Sequence, residues 1–482
     1  AIEPALKLRP EFAEAIYNLG SISYLQGQFQ TAAEQLRQAI LLKPNYADAH
    51  VYLGHALLEQ KDYANAIECY QRAIALKPDS AAAYSMLGVA FRSQGKLEDA
   101  EKMAKEALRL QPDFVDAYIT LGNIHNLQGR TDATVQVLQN ALRLGPANAT
   151  AHSNLLMAIH YRPEYSAENL LAAAKDWGAR HSPQERCLPP PANLPEYRRR
   201  LRVGYVSGDF LRHPVGYFID PVLANHDKSR YEVFCYYNKT IYDDLTARLQ
   251  QAADHWCSIS GKSDVEVAEQ IRRDGIDLLI DLSGHTGGNR LVAFGHRPAP
   301  VQATWMGYFA TTGLPTMDYI IADRFVIPSQ EEPYYTEQVV RLPNAYLCFS
   351  PPRDLIEPSR LPALAAGKLT FGCFNNTAKL TETVIACWSR LLHALPDAQL
   401  YLKNASFGDD TVRQRYKDLF AQHGIAIERI IFAGPSPREE LLAAYQAVDI
   451  ALDPFPYNGG TTTVEALWMG VPVVSLRGDH FV

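Results

Sequence analysis

The sequence is poor in cysteine and has little that marks a membrane, secreted or nucleic-acid-binding protein. Its 482 residues include seven cysteines, scattered and never in a CxxC pair, so neither a disulfide framework nor a zinc site is indicated. There is no run of about 18 apolar residues and no signal peptide, so neither a membrane span nor export is predicted. The net charge is −7 without a basic tract, which argues against nucleic acid as a partner. We therefore expect a cytoplasmic protein in a reducing compartment.

Two phosphate-binding signatures are also missing. The chain has no GxxxxGK[ST] and no GxGxxG pattern, which argues against a nucleoside triphosphatase and a dehydrogenase. With 47% hydrophobic and 21% charged residues, the composition is that of an ordinary globular protein, and the length predicts about three domains.

Proline recurs at a fixed interval of 34 residues in the first third of the chain, at Pro10, Pro44, Pro78, Pro112 and Pro146. Three further positions keep the same step: Ala15, Ala49, Ala83, Ala117 and Ala151; Leu19, Leu53, Leu87, Leu121 and Leu155; and Gly20, Gly54, Gly88 and Gly122. This is the period of the tetratricopeptide repeat, in which small residues let two helices approach closely and proline ends the second helix. Residues 1–156 are therefore predicted to form a helical solenoid with a protein-binding surface.

Both ends of the sequence suggest a longer natural protein. Residues 1–9 match the last turns of a preceding repeat, since Ala5 is in phase with Ala39. The chain stops at LRGDHFV, directly after a predicted strand. We expect further residues beyond the C-terminal end; for the N-terminal end, the alternatives are that the natural protein begins upstream or that its N-terminus is disordered.

The pattern changes after the repeats. Residues 157–200 contain a helical segment, ENLLAAAKDWGARH, and the proline-rich CLPPPANLP, and are predicted to be a connector. Beyond them, short apolar runs ending in Gly, Asp, Ser or Asn alternate with helical stretches, which is typical of βαβ units. Two such series, 201–360 and 361–482, predict two α/β halves with a cleft between them. Ligands bind such sheets at the carboxyl ends of the strands.

The segment PYNGGTTTVEALWMGVPVV carries the most specific chemical signal. Two glycines are followed by three threonines, and a helix is predicted to begin near Thr461. The free amides and the dipole at the start of this helix would hold a phosphate. Glu465, one turn later, is placed to accept hydrogen bonds from sugar or ribose hydroxyls. The alternative is a threonine N-cap that only closes the helix.

At this point the sequence resembles the O-GlcNAc transferase family, in a compact bacterial-like form without the long insert of the animal enzymes. The resemblance rests on the repeats and on four segments in order: VGYVSGDFLRHPVGYF, RPAPVQATWMGYFATTG with DYIIAD, GCFNNTAKL, and DPFPYNGGTTTVEALWMGVPVV. It implies an α-solenoid followed by a GT-B α/β glycosyltransferase with two Rossmann-like halves, the first on the acceptor side and the second on the nucleotide-sugar side. The implied reaction moves GlcNAc from UDP-GlcNAc to Ser or Thr of proteins, with inversion.

The resemblance also implies roles for individual residues. His213 falls where the family has a histidine at the donor sugar, Asp209 in a nearby proton-relay position, and Lys379 where the family's lysine meets the diphosphate. His160 falls where the family has another active-site histidine. A fixed lysine can replace a metal, and the chain has no DxD triplet, so we expect no metal and no cofactor beyond the donor substrate.

Donor-binding residues follow from the same segments. They are Met306, Gly307, Asn376, Ser436, Pro437, Tyr457, Gly460, Thr461, Thr462, Thr463 and Glu465. Each catalytic candidate also has a non-catalytic interpretation: a structural loop histidine for His213, a solvated lysine for Lys379, a turn cap for Asp209 and a connector histidine for His160.

The chain departs from the family pattern at two sites. Leu441, Ala443 and Ala444 replace the residues usual at the uracil and diphosphate, and Gly460 replaces a histidine. Along the repeats, the family's asparagine ladder is kept only at Asn18 and Asn154, so acceptor recognition is expected to differ from that of the animal enzymes.

Three functions therefore compete. The first is a protein O-GlcNAc transferase that binds acceptors along the repeat groove. The second is a SPINDLY-like protein O-fucosyltransferase that uses a GDP-sugar, and the third is a repeat scaffold with a degenerate transferase domain. A homodimer formed through the repeats is a further hypothesis.

Overall fold

The computed structural model describes residues 12–183, 199–350 and 356–478. Contacts divide the chain into two compact units, Ala1–Gln128 with Asp132–Pro146, and Gly129–Thr131 with Ala147–Val482. The predicted earlier repeat at residues 1–9, the proline-rich part of the connector and the last four residues lie outside the described residues.

The first unit is built from helix pairs that follow the 34-residue step. Its described helices are α1 (Ala13–Leu25), α2 (Phe29–Leu42), α3 (Ala47–Glu59), α4 (Tyr63–Leu76), α5 (Ala81–Ser93), α6 (Leu97–Leu110), α7 (Val115–Leu127) and α8 (Thr131–Leu144). The repeated glycines bring the paired helices together: a Cβ on Gly20 would lie 2.7 Å from Leu36 Cγ, and one on Gly54 would lie 2.7 Å from the Tyr70 ring. The predicted solenoid of helical repeats is confirmed.

The turns between paired helices use the left-handed backbone region. Gly27, Gly95 and Gly129 have φ of 74°, 81° and 69°, as expected where a glycine ends a helix. Lys61 takes the same place in its repeat with φ of 63°. This repeat therefore carries a conformational cost of about 1–2 kcal/mol that its neighbours avoid.

The second unit opens with two helices, α9 (Ala149–Ile159) and α10 (Ala167–His181). Asn148 caps α9 by accepting a hydrogen bond from the Ala151 amide, and Ser166 with Asn169 forms a capping box on α10. The sequence of α9 continues the repeat pattern, yet its contacts place it in the second unit.

The first α/β half contains one parallel sheet in the order β3-β2-β1-β4-β5-β6-β7. Its strands are β1 (Leu201–Ser207), β2 (Tyr231–Tyr237), β3 (His255–Ser258), β4 (Leu278–Asp281), β5 (Val301–Trp305), β6 (Tyr319–Ala322) and β7 (Gln338–Arg341). Its helices are α11 (Pro214–Ala224), α12 (Asp244–Ala252), α13 (Asp264–Arg273) and α14 (Leu291–Gly295). The core lies on both faces of β1 and β2, whose last five residues are buried.

The second half repeats this design with a five-stranded parallel sheet in the order β10-β9-β8-β11-β12. The strands are β8 (Thr370–Cys373), β9 (Gln399–Lys403), β10 (Ile430–Ala433), β11 (Ile450–Leu452) and β12 (Val473–Val474). The helices are α15 (Pro362–Ala366), α16 (Glu382–Ala394), α17 (Asp410–Gln422), α18 (Arg438–Ala443) and α19 (Thr461–Trp468). The predicted fold class, repeats followed by two parallel α/β halves, is confirmed.

Among the described residues, no helix combines the length and apolar character needed to cross a bilayer.

Candidate active site

Asp209 and His213 lie between β1 and α11, at the carboxyl edge of the first sheet. Asp209 is 4% exposed, and its Oδ1 accepts a hydrogen bond from Lys239 Nζ at 2.6 Å. His213 is the N-cap of α11: its Nδ1 accepts from the Val215 amide at 3.3 Å and lies 3.6 Å from Asp209 Oδ2. Burial is the largest influence and lowers the pKa of His213; Asp209 opposes this effect and Lys239 adds to it. The ring is therefore neutral near pH 7.

Lys379 lies after β8, at the carboxyl edge of the second sheet. Its Nζ donates to Asn458 O at 2.6 Å and to Asn375 Oδ1 at 3.3 Å, and lies 4.4 Å from the centroid of the Tyr457 ring. Burial lowers the pKa of Lys379 to about 8, although the Asp453 carboxylate acts in the opposite direction. The contacts hold the ammonium group against the segment that leads into α19, unlike a solvated surface lysine.

Helix α19 begins at Thr461, as predicted, and its N-terminus is uncapped. The N-cap is Gly460, so no side chain caps the helix, and the first helical hydrogen bond runs from the Val464 amide to Gly460 O. Within the described parts of the chain, no acceptor is recorded for the backbone amides of Thr461, Thr462 and Thr463. A threonine N-cap was the alternative prediction, and it is wrong. Three available amides at the positive end of a helix form a site for an anionic group.

The threonine hydroxyls of this helix are used inside the loop. Thr462 Oγ1 donates to Asn375 Oδ1 at 3.1 Å, and Thr463 Oγ1 donates to Gly459 O at 3.0 Å. Asn375 thus links Lys379 to the first turn of α19. A Cβ on Gly459 would lie 2.6–2.8 Å from oxygens of Thr462, Asp453 and Thr463, whereas one on Gly460 would meet nothing within 4 Å.

The residues predicted to wall the donor sugar lie on the loop after β5. Met306 is buried with φ of 51°, a strained value for a non-glycine residue. Gly307 admits no side chain, because a Cβ would lie 1.8 Å from Leu282 O. The next residue, Tyr308, hydrogen bonds through its hydroxyl to His160 Nε2 at 2.8 Å. The structure therefore brings His160, at the end of α9, to the same loop as Met306 and Gly307.

Tyr457 joins these two groups of residues. Its ring lies 5.0 Å from that of Tyr161, next to His160, and 5.8 Å from that of Phe309, next to Tyr308. It also contacts the Lys379 ammonium group, which lies 4.4 Å from its centroid. One buried aromatic ring therefore connects α9, the first half and the second half.

Glu465 is buried and paired. It is 3% exposed, and its Oε1 forms an ion pair with Arg438 Nη1 at 2.8 Å. Burial raises the pKa of Glu465, against the effect of Arg438. The Arg438 guanidinium also lies 4.0 Å from the centroid of Tyr217, on α11 of the first half. Whether Glu465 also binds a hydroxyl of a donor stays a prediction.

Of the remaining predicted donor residues, Asn376 and Pro437 cap short helices, and Ser436 has a buried hydroxyl. Asn376 Oδ1 accepts from the Ala378 amide at 3.1 Å and so caps a 3-10 turn. Pro437 is the N-cap of α18. Among described residues, the buried Ser436 Oγ has no hydrogen-bond partner.

A recess adjoins α19 in the second half. Asn375, Asp453, Thr462 and Thr463 form its polar wall, and Phe374 and Tyr445 contribute apolar surface. The loop after β8, the end of β11 and the first turn of α19 meet here, as expected for the carboxyl edge of a parallel sheet.

Sequence analysis missed three residues of the site: Lys239, Asp453 and Arg438. Lys239 and Asp453 each follow a predicted strand, so a polar residue after an apolar run was the only available signal. Arg438 lies inside REELLAAYQ, a segment that carries no motif of its own.

Models of known protein families match both the repeats and the two α/β halves. A model described as glycosyl transferase family 41 matches residues 187–351 and 350–482, and tetratricopeptide-repeat models match 20–61, 54–95 and 85–149. The chain belongs to glycosyl transferase family 41. Its predicted assignment to the O-GlcNAc transferase family is thus confirmed.

Similar curated proteins include one from a plant and one from an animal. The chain is 40% identical over 334 residues to a "probable UDP-N-acetylglucosamine-peptide N-acetylglucosaminyltransferase SPINDLY" of Petunia hybrida, covering 68% of this chain and 36% of that protein. It is 26% identical over 396 residues to the UDP-N-acetylglucosamine-peptide N-acetylglucosaminyltransferase of Caenorhabditis elegans, covering 58% and 34%. The chain spans about a third of the length of these curated relatives.

A solved structure is similar over most of the chain. It is that of a lysine-to-methionine mutant of the Thermobaculum terrenum O-GlcNAc transferase, with a TM-score of 0.85 and 38% sequence identity, covering 90% of this chain and 83% of that one.

Proposed function

We propose that this protein is an inverting, nucleotide-sugar-dependent protein O-glycosyltransferase that moves GlcNAc from UDP-GlcNAc to Ser or Thr hydroxyls. The observation that carries the proposal is the uncapped N-terminus of α19 beside Lys379. Three amides are available at this N-terminus, and Asn375, which lines the polar recess, links the Lys379 ammonium group to the first turn of the helix. Donors placed in this way can bind a diphosphate and stabilise its departure.

In the proposed reaction, the acceptor hydroxyl oxygen attacks the anomeric carbon while the bond from that carbon to the diphosphate oxygen breaks. The bonding electrons leave with UDP, whose developing charge the Lys379 ammonium group and the α19 amides stabilise. Lys379 thereby supplies the charge that a metal would otherwise provide, so we propose a metal-independent reaction. The acceptor proton passes to a base. Asp209, His213 and His160 are the candidates either to act as this base or to orient it.

We further propose that protein acceptors bind along the repeats of the first unit and that the enzyme acts in the cytoplasm. Tetratricopeptide repeats present an extended binding surface, and relatives in family 41 carry names of peptide-modifying enzymes.

The SPINDLY-like alternative, transfer of fucose from a GDP-sugar, has one specific observation in its favour. Leu441, Ala443 and Ala444 stand in α18 and the turn after it, where the family resemblance implies residues for uracil. The scaffold alternative is opposed by the ordered contacts of Lys379 and α19.

Calorimetric titration of the full chain with UDP and GDP, and a transfer assay with labelled UDP-GlcNAc with and without EDTA, would test these alternatives. Saturable UDP binding and EDTA-insensitive transfer to protein support the proposal. Binding of GDP in place of UDP would favour the fucosyl alternative, and binding of neither would favour the scaffold. Lys368→Met, at an exposed lysine before β8, is the matched control for Lys379→Met.

A further inference from the structure

Lys239 reaches Asp209 because of how β1 and β2 pair. The two strands are parallel with Ser207 opposite Tyr237, and each residue of the ion pair lies two positions past the end of its strand. Gly208 lies beside the lysine, since a Cβ there would be in ordinary contact with Lys239 Cε at 3.6 Å. The ion pair is thus fixed by the register of the sheet.

The two carboxylate oxygens of Asp209 face different partners. Oδ1 accepts a hydrogen bond from Lys239 Nζ at 2.6 Å, while Oδ2 lies 3.6 Å from His213 Nδ1, beyond ordinary hydrogen-bond distance. Nδ1 instead accepts from the Val215 amide at 3.3 Å. In a neutral imidazole one nitrogen donates and the other accepts, so an accepting Nδ1 leaves the proton on Nε2.

We propose that Lys239 is a positioning residue: by occupying the Asp209 carboxylate it adds to the effect of burial in favouring the neutral His213 ring, and it keeps the proton of that ring on Nε2. His213 then serves as a hydrogen-bond donor toward the site and not as a general base. The role of His213 in transfer rests on the proposed function, but the tautomer and charge of its ring do not depend on that function.

The other charged groups near His213 are already engaged. Arg212 forms an ion pair with Asp244 at 2.6 Å, and its amide donates to Asp243. One turn further along α11, Tyr217 lies against Arg438, which is paired with Glu465. Loss of the Lys239 charge therefore acts on Asp209 first, and the carboxylate then becomes the nearest partner for a proton on Nδ1.

Nuclear magnetic resonance of the full chain with ¹⁵N-labelled histidine would measure the tautomer and the pKa of the His213 ring directly. His213→Gln would be used to assign the signal. We expect the wild type to show the Nε2–H tautomer and a pKa below 6.5. In Lys239→Met the pKa of His213 rises by about one unit or more, since an unopposed carboxylate within 4–6 Å stabilises the charged ring, and Nδ1 gains the proton. Lys239→Arg restores the wild-type behaviour. Lys228→Met, which removes an ion pair with Asp254 in the same half, leaves His213 unchanged.

An unchanged pKa and tautomer in Lys239→Met, or an Nδ1–H tautomer in the wild type, would overturn the inference. The pH profile of transfer provides the second readout: the acidic limb of kcat/KM should move upward in Lys239→Met by the shift that the resonance measures. If the resonance shifts as expected but no variant transfers sugar, the proposed function fails while the assignment of the ring stands.

Discussion

The protonation of Lys379 predicts how the rate of the proposed transferase depends on alkaline pH. Burial lowers the pKa of this lysine to about 8, and only the ammonium form can oppose the charge of a departing diphosphate. About half of the free enzyme is therefore competent at pH 8 and about a tenth at pH 9, from the ordinary titration of one group. We expect kcat/KM for the donor to fall tenfold per pH unit above 8.

The assay is initial-rate transfer at donor concentrations well below KM, because kcat/KM reports ionisation in the free enzyme. Bound diphosphate favours the ammonium form, so kcat should fall at a higher pH than kcat/KM does. Lys379→Arg, whose guanidinium stays charged, should abolish the alkaline limb at a lower overall rate. Lys379→Met should lower kcat/KM by about 10²–10³, the usual cost of one transition-state donor.

Lys368→Met is the control for lysine removal and should keep the wild-type profile. The reasoning would be refuted by a profile that stays flat to pH 10 in the wild type. It would equally be refuted by an alkaline limb that persists unchanged in Lys379→Arg.

Three predictions concern stability. Burial lowers the pKa of His285 to about 3, so relative to an unfolded value near 6.5 its contribution is fully present above pH 6.5 and is lost as the pH falls toward 3. Denaturant unfolding should therefore lose about 1.4 kcal/mol per pH unit from this group, a slope that His285→Gln removes. Gly459→Ala should lower the melting temperature, since its Cβ would crowd three oxygens, whereas Gly460→Ala should change the free energy of unfolding by under about 0.5 kcal/mol. Arg438→Ala should cost about 3 kcal/mol by leaving the buried Glu465 carboxylate unpaired, and adding Glu465→Gln should recover much of this loss.

The fold was predictable because its signals are local and repeated. The 34-residue step recurs in several residue types, and the helix pairs bury its alanine and glycine positions. The start of α19 at Thr461 was equally local, since two glycines precede an amphipathic run. The structure adds that this helix has no side-chain cap. Because the N-cap is Gly460, the first amides of α19 stay available for a ligand.

The unpredicted part of the site depends on contacts between distant segments. Lys239 meets Asp209 only because β1 and β2 are neighbours in register, and Arg438 contacts Tyr217 only because the two halves meet at α11 and α18. Single-segment patterns contain neither fact. Once strand order is known, however, polar residues at equal distances past paired strand ends become candidate partners. That rule identifies Lys239 from the pairing of Ser207 with Tyr237, and it makes the protonation of His213 depend on a residue that no motif contains.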